Sequence, residues 1–215
     1  MRSTRVIGPT IDFVRAQPAP VRYAERVALR EAVPRYPALA ATSRRLDLAL
    51  SILALALSMP IMALIALAIL VESEGPVLVY QVYAGMGGRL FRLYQFRCVR
   101  IEESKSGHPT LVGRLLRLVD LDKMPCLLSV VAGNMSLVGP TPVLPDEAAR
   151  YTHEQASRLA ARPGLTGLSQ LKGARCASLD EAIALDIEYI KNQSISLYTS
   201  ILLRAIAGAL KGGGC

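Results

Sequence analysis

The 215 residues leave room for one domain and a membrane element but not for two full domains, and 52% hydrophobic content with a mean hydropathy of +0.34 is high for a purely soluble chain. Aromatic residues make up only 5% and there is no Trp, which argues against a stacking platform for single-stranded nucleic acid. The net charge of +8 is uneven: residues 1–45 hold nine Arg against Asp12, Glu25 and Glu31, so +6 of it sits just before the most apolar run, where an anionic membrane surface is a better partner than DNA.

Residues 1–42 carry Pro18, Pro20, Pro34 and Pro37 between arginines with no sustained apolar period, and read as a flexible basic arm with a short helix near Tyr23–Val33. The apolar run starts too late for a secretory signal. From Leu48 to Val71 there is no charged residue. About 24 residues at 1.5 Å each reach roughly 36 Å, enough to cross a bilayer. Pro60, near the middle, removes a backbone donor and should kink the helix, with Ser51 and Ser58 placed to rebond freed carbonyls. A straight span, a kinked helix that re-enters the same face and a buried soluble helix all fit this segment, and basic residues on both flanks do not separate the first two.

After Gly75-Pro76, the alternation Val77–Tyr83 reads as a strand, Gly85, Gly87 and Gly88 as a turn, and Leu90–Arg97 as its hairpin partner. Leu111–Val119 and Met124–Val131 have helical spacing. Met135–Val138 is a short apolar segment before the rigid Gly139-Pro140-Thr141-Pro142 turn. Glu147–Ala161 reads as an amphipathic helix ended by Pro163-Gly164, residues 165–171 as a short strand or loop, and Leu179–Asn192 and Ser196–Leu210 as helices. The fold class expected is α+β, mostly helical: a basic arm (1–42), a membrane helix (43–71) and a domain with a small β-hairpin (72–211).

Chemistry concentrates between Arg114 and Pro125. A helix starting near Asp120 would be capped by that residue and carry Asp122 in its first turn, where free N–H groups and the dipole favour anions. Arg114 and Arg117 lie close by, so a phosphate held here would meet cations and a carboxylate nucleophile. Acids at helix starts beside surface arginines are also routine without any such role. Cys98, Cys126, Cys176 and Cys215 show no CxxC spacing, and His108 and His153 are too few for a zinc cluster.

Asp47-Leu48-Ala49-Leu50-Ser51 with Pro60, Gly75-Pro76-Val77, Phe96-Arg97, Leu121-Asp122, Met124-Pro125, Met135-Ser136-Leu137-Val138-Gly139-Pro140 and Arg162-Pro163-Gly164-Leu165-Thr166-Gly167-Leu168 follow in that order. Together, from about Arg44 to the C-terminus, they resemble the bacterial sugar transferases, small monotopic phosphoglycosyl transferases that initiate exopolysaccharide and glycan assembly. The resemblance implies a re-entrant helix broken at Pro60 in the bacterial inner membrane, with the active site at the cytosolic face. It implies transfer of a sugar-1-phosphate from a UDP-sugar to polyprenyl phosphate, with magnesium neutralising phosphate charge. The family's Asp-Glu dyad falls on Asp122, the carried-over nucleophile, and Lys123. Arg117 matches the arginine before the dyad, and Arg97, Arg114 and Arg117 are the candidate phosphate- and substrate-binding cations. The departures are specific: Lys123 replaces the metal-holding Glu, Thr141 an Arg, Gln95 a Lys, Tyr83 an Arg and Cys126 a Gln. Two functions are therefore expected as alternatives, an initiating transferase and a catalytically impaired relative that binds polysaccharide-synthesis partners at the membrane.

Overall fold

The computed structural model describes residues 40–100, 109–172 and 179–210. The basic arm with its expected helix near Tyr23–Val33 lies outside them, as do His108, Cys176 and Cys215. Helix α1 runs from Ala40 to Glu72 with Pro60 inside it. Its apolar face is turned outward: Leu53, Leu57, Met59, Leu64, Leu67 and Val71 are all more than half exposed, while Asp47, Ser51 and Ser58 are buried with Ile65 and Ile69. Those five share one stripe at spacings of four or seven residues, so the polar groups of α1 face the protein and the leucines face away. A surface of this kind is stable against hydrocarbon, not water. Residues Ser43–Glu72 are long and apolar enough to cross or insert into a membrane.

Both ends of α1 are tied to the same body. At its start, Arg44 donates to the carbonyls of Val130 and Val131, the latter at 2.8 Å. Asp47 accepts from Ser136 Oγ at 3.0 Å, the Leu137 amide at 2.8 Å and the Tyr198 hydroxyl at 2.7 Å. At its end, Ile65 and Ile69 pack on Phe96, Cys98 and Leu116. Between these anchors most residues from Ile52 to Leu64 are exposed. Ser58 Oγ donates to the Leu55 carbonyl at 3.1 Å, one residue before the carbonyl of Ala56 that Pro60 cannot serve, and the Ser51 hydroxyl is buried with no partner. The expected rebonding of the freed carbonyl by Ser51 or Ser58 is therefore not what these side chains do.

Strands β1 (Leu78–Ala84) and β2 (Leu90–Phe96) form the expected antiparallel hairpin, with Leu78 opposite Phe96 and Ala84 opposite Leu90. Its turn needs glycine because Gly87 and Gly88 have φ of 64° and 69°. Helix α2 (Leu111–Leu118) follows, then a 3-10 turn over Leu121–Cys126 and helix α3 (Leu127–Val131). The Glu72 carboxylate receives the amides of Leu111 and Val112, and Thr110 Oγ1 that of Gly113, so the last residue of α1 helps cap α2.

Strand β3 (Ser136–Val138) pairs in parallel with β4 (Gly164–Thr166), which joins the Met-Ser-Leu-Val-Gly-Pro motif to the Arg-Pro-Gly-Leu-Thr-Gly-Leu motif. The glycines there are a packing requirement: a Cβ on Gly164 would collide with the backbone of Gly139, and one on Gly167 with the Gly139 carbonyl. The segment between the strands differs from the single helix expected over Glu147–Ala161. Helix α4 (Pro145–Ala148) stops, and α5 (His153–Ala156) starts afresh because Thr152 and Gln155 form a capping box, continuing as a 3-10 turn over Ser157–Ala160. Helix α6 (Leu168–Leu171), α7 (Leu179–Lys191) and α8 (Ile195–Leu210) complete the described chain. Val130, Met135, Val138, Tyr189, Tyr198 and Ile201 are among the residues of the main core, which gathers β2, α3, β3, α7 and α8.

Candidate active site

The end of β2, the end of α2 and the 3-10 turn meet around a pocket of about 250 Å³ lined by Gln95, Phe96, Cys98, Arg117, Asp120, Asp122 and Lys123. Local geometry brings the last four together. Val119 ends α2, and Asp120 then takes a left-handed conformation, φ 54°, the one non-glycine residue with positive φ among those described. Aspartate tolerates this region better than most residues. The reversal turns the chain into the 3-10 segment that carries Asp122 and Lys123. Asp120 was expected to cap a helix with its side chain; it makes no such bond. Its carboxylate instead accepts from Lys123 Nζ at 2.6 Å, one turn away and about half exposed.

Asp122 is buried, 8% exposed, and its Oδ1 has no hydrogen-bond partner. Burial raises its pKa above the usual carboxylate range; Lys123 and Arg117 pull it back and Asp120 pushes it further up. Asp122 lines the pocket together with Arg117 and Lys123, so a carboxylate with one oxygen free of hydrogen bonds shares a wall with two cations able to stabilise developing negative charge. Cys98 also lines the pocket; its thiol donates to the Phe96 carbonyl at 3.5 Å and is pushed up by burial and then by Asp122, with Arg117 pulling it back. Cys126, in the 3-10 turn itself, donates to the Tyr94 carbonyl at 3.3 Å, and its thiol is pushed up to about 12 by burial and then by Asp122.

The structure thus gathers Asp122, Lys123 and Arg117, and leaves two candidate residues outside the pocket. Arg114 is exposed on α2 and does not line it. Arg97 is 3% exposed and donates to the carbonyls of Glu74 and Ser73 at 2.7 and 2.8 Å, fastening the chain after α1 to the end of β2. Of the replaced positions, Gln95 and Lys123 line the pocket and Tyr83 and Thr141 do not. Tyr83 packs against the main core. The Thr141 amide donates to Asp186, which also accepts from Ser169 Oγ at 2.8 Å and Arg158 Nε at 2.7 Å. Sequence reasoning missed this buried cluster, since Arg158 and Asp186 look like polar helix residues and lie far apart in the chain. It also missed Phe96 and Cys98 as lining residues of the pocket; Phe96 ends β2 and Cys98 lies two residues beyond it.

The donor set does not suit the magnesium that the resemblance implies. Of the two carboxylates lining the pocket, Asp120 is paired with Lys123, and the ammonium of Lys123 stands beside the remaining one in sequence. Among the described residues no group of three or more His, Cys, Asp or Glu side chains gathers to hold an ion.

An outward-facing apolar helix, the paired glycine motifs and a turn that sets Asp122 beside Arg117 all lie within the segment that known proteins share. The sequence profile of the bacterial sugar transferase family matches residues 39–212, and the chain belongs to that family. A UDP-glucose:undecaprenyl-phosphate glucose-1-phosphate transferase of Caulobacter vibrioides is 38% identical over 184 residues, which cover 78% of this chain and 69% of that protein. The uncharacterized sugar transferase EpsL of Bacillus subtilis is 37% identical over 146 residues, covering 65% and 72%. An undecaprenyl-phosphate glucose phosphotransferase of Komagataeibacter xylinus is 35% identical over 184 residues, 76% of this chain but 35% of that longer protein.

Proposed function

We propose that this chain transfers a sugar-1-phosphate from a UDP-sugar to polyprenyl phosphate at the cytosolic face of the bacterial inner membrane, initiating exopolysaccharide or glycan synthesis. The observation that carries the reading is Asp122, a buried carboxylate with one unpaired oxygen in a pocket it shares with Arg117 and Lys123. In the first step an Asp122 oxygen attacks the β-phosphorus, and the bond from that phosphorus to the bridging oxygen breaks. UMP leaves with the bonding pair, and an acyl phosphate carries the sugar. In the second step an oxygen of polyprenyl phosphate attacks the same phosphorus, and the Asp122 carboxylate is released. Arg117 and Lys123 stabilise the charge gathered on the phosphoryl oxygens.

The reading takes α1 as a re-entrant membrane helix: both of its ends pack on one body while its middle is exposed, and Pro60 lies in that exposed stretch, where proline favours a bend. Leu111, Leu115 and Leu118, each more than 60% exposed on α2, lie beside the end of α1 and bring the pocket close to the interface where a lipid phosphate would arrive. One observation favours the alternative of a catalytically impaired partner-binding relative, namely Lys123 where the resemblance expects a carboxylate. UMP release from a panel of UDP-sugars by the detergent-solubilised protein with polyprenyl phosphate, compared with Asp122→Asn, decides between them. Asp122-dependent release supports the transferase, and none from any sugar supports the alternative.

A further inference from the structure

We infer that the pocket binds the diphosphate of its nucleotide sugar without a divalent metal ion, with Lys123 leaving Asp120 to become the second cation beside Arg117. This rests on the reading above, in which the pocket receives a nucleoside diphosphate. Three observations carry it. The chemistry of the lining comes first: a divalent ion at a diphosphate is held by one or two carboxylates, and both carboxylates here, Asp120 and Asp122, share the pocket wall with the Lys123 ammonium, so an ion bound to either would lie in its field.

The second observation is that the Lys123–Asp120 pair is poised to exchange. Its side chains are 41% and 48% exposed, so water already competes for both charges and holding them together stabilises little. A lysine ammonium is a compact charge with three donors on a flexible stem, able to swing from a carboxylate to a phosphate oxygen carrying more charge. The third is the placement of Asp120. The backbone reversal at φ 54° puts its carboxylate within one turn of Lys123, on the wall of the same pocket. In that position Asp120 holds the ammonium at the mouth and then competes with the ligand for it.

The test is calorimetric titration of UDP into the full-length protein in detergent micelles, once with EDTA and once with millimolar magnesium. The inference expects affinities that agree within about twofold in the two buffers, because a fixed ammonium rather than an exchangeable ion supplies the charge. Lys123→Gln should weaken binding by about tenfold or more in both, while Lys123→Arg retains it and shows that the site is still folded. Asp120→Asn should tighten binding roughly threefold by freeing the ammonium. Lys123→Glu should bind UDP only when magnesium is present. Binding that vanishes in EDTA and returns with magnesium overturns the inference and leaves the nucleotide-sugar reading standing. An Asp120→Asn variant as weak as Lys123→Gln overturns it too. No UDP binding in either buffer, by protein that still melts cooperatively, overturns both.

Discussion

At the scale of single residues, Asp122 holds two opposed properties. Its folded-state pKa is raised by burial above the ordinary value of 3.8. Protonated Asp122 therefore favours the fold fully below about pH 3.8, and that contribution is lost as pH rises through the raised pKa. Above that raised pKa the ionised side chain works against stability. Asp122→Asn should abolish UMP release and yet stabilise the protein by about 1 kcal/mol at pH 7.5, an advantage that fades toward pH 4. Denaturant unfolding at the two pH values checks this; an equally large gain at both would assign the effect to something other than charge. The two described cysteines make a simpler case. Both are buried, Cys126 with a thiol pushed up to about 12, so neither should react with a maleimide at pH 8 until the protein is unfolded. That Asp122 and Arg117 meet at one pocket was legible because they lie five positions apart, across one helix end and one turn. The pairing of Lys123 with Asp120 was not, because it depends on a left-handed aspartate that no sequence signal announces. Arg97 misled for a related reason: an arginine beside a motif looks available until the carbonyls at the end of α1 are seen to hold it.

At the scale of elements, the two glycine motifs explain each other. They lie more than 20 residues apart in the sequence and meet as β3 and β4, with Ser136 opposite Gly164 and Val138 opposite Thr166. Backbone sits on backbone there, so Gly164→Ala should cost more than about 3 kcal/mol and give mostly aggregated protein, since a collision between two main chains has no side chain to yield. Gly87→Ala, by contrast, meets nothing within 4 Å and strains only a positive φ, which predicts a loss of about 1 kcal/mol. Comparing unfolding midpoints of the two variants checks the distinction, and equal losses would contradict it. The hairpin, α2, α7 and α8 were all legible to within a residue or two, because apolar alternation, helical spacing and glycine turns are local signals. The break in Glu147–Ala161 was not. The segment keeps helical spacing throughout, and only the capping box at Thr152 and the demand of buried Asp186 for Arg158 fix where the chain turns.

At the scale of the whole molecule, α1 is both an anchor and a floor for the pocket: Ile65 and Ile69 pack on Phe96 and Cys98, and Glu72 helps cap the helix that carries Arg117. Its insertion should therefore be coupled to the site. Single cysteines replacing Arg45 and Glu74, both exposed, in a background with the native cysteines changed to serine should be labelled from the same side of inverted vesicles. Labelling from opposite sides would mean a straight span. Pro60→Leu restores the backbone donor that proline lacks and straightens the preferred helix, and should shift the segment toward crossing and lower transfer activity with it. The apolar character of this helix was plain in the sequence. That its buried side carries Asp47, Ser51 and Ser58 was not, because Asp47 is satisfied by Ser136, Leu137 and Tyr198 from distant parts of the chain. The central claim is that Asp122 takes the phosphosugar in a covalent step, and its most direct test is to incubate the protein with a UDP-sugar labelled in the β-phosphate and no lipid acceptor. The account predicts one label per chain, released UMP in equal amount, the label mapped to the peptide containing Asp122, and none in Asp122→Asn. Protein that releases no UMP and takes up no label from any UDP-sugar, or a label that survives Asp122→Asn, would contradict it.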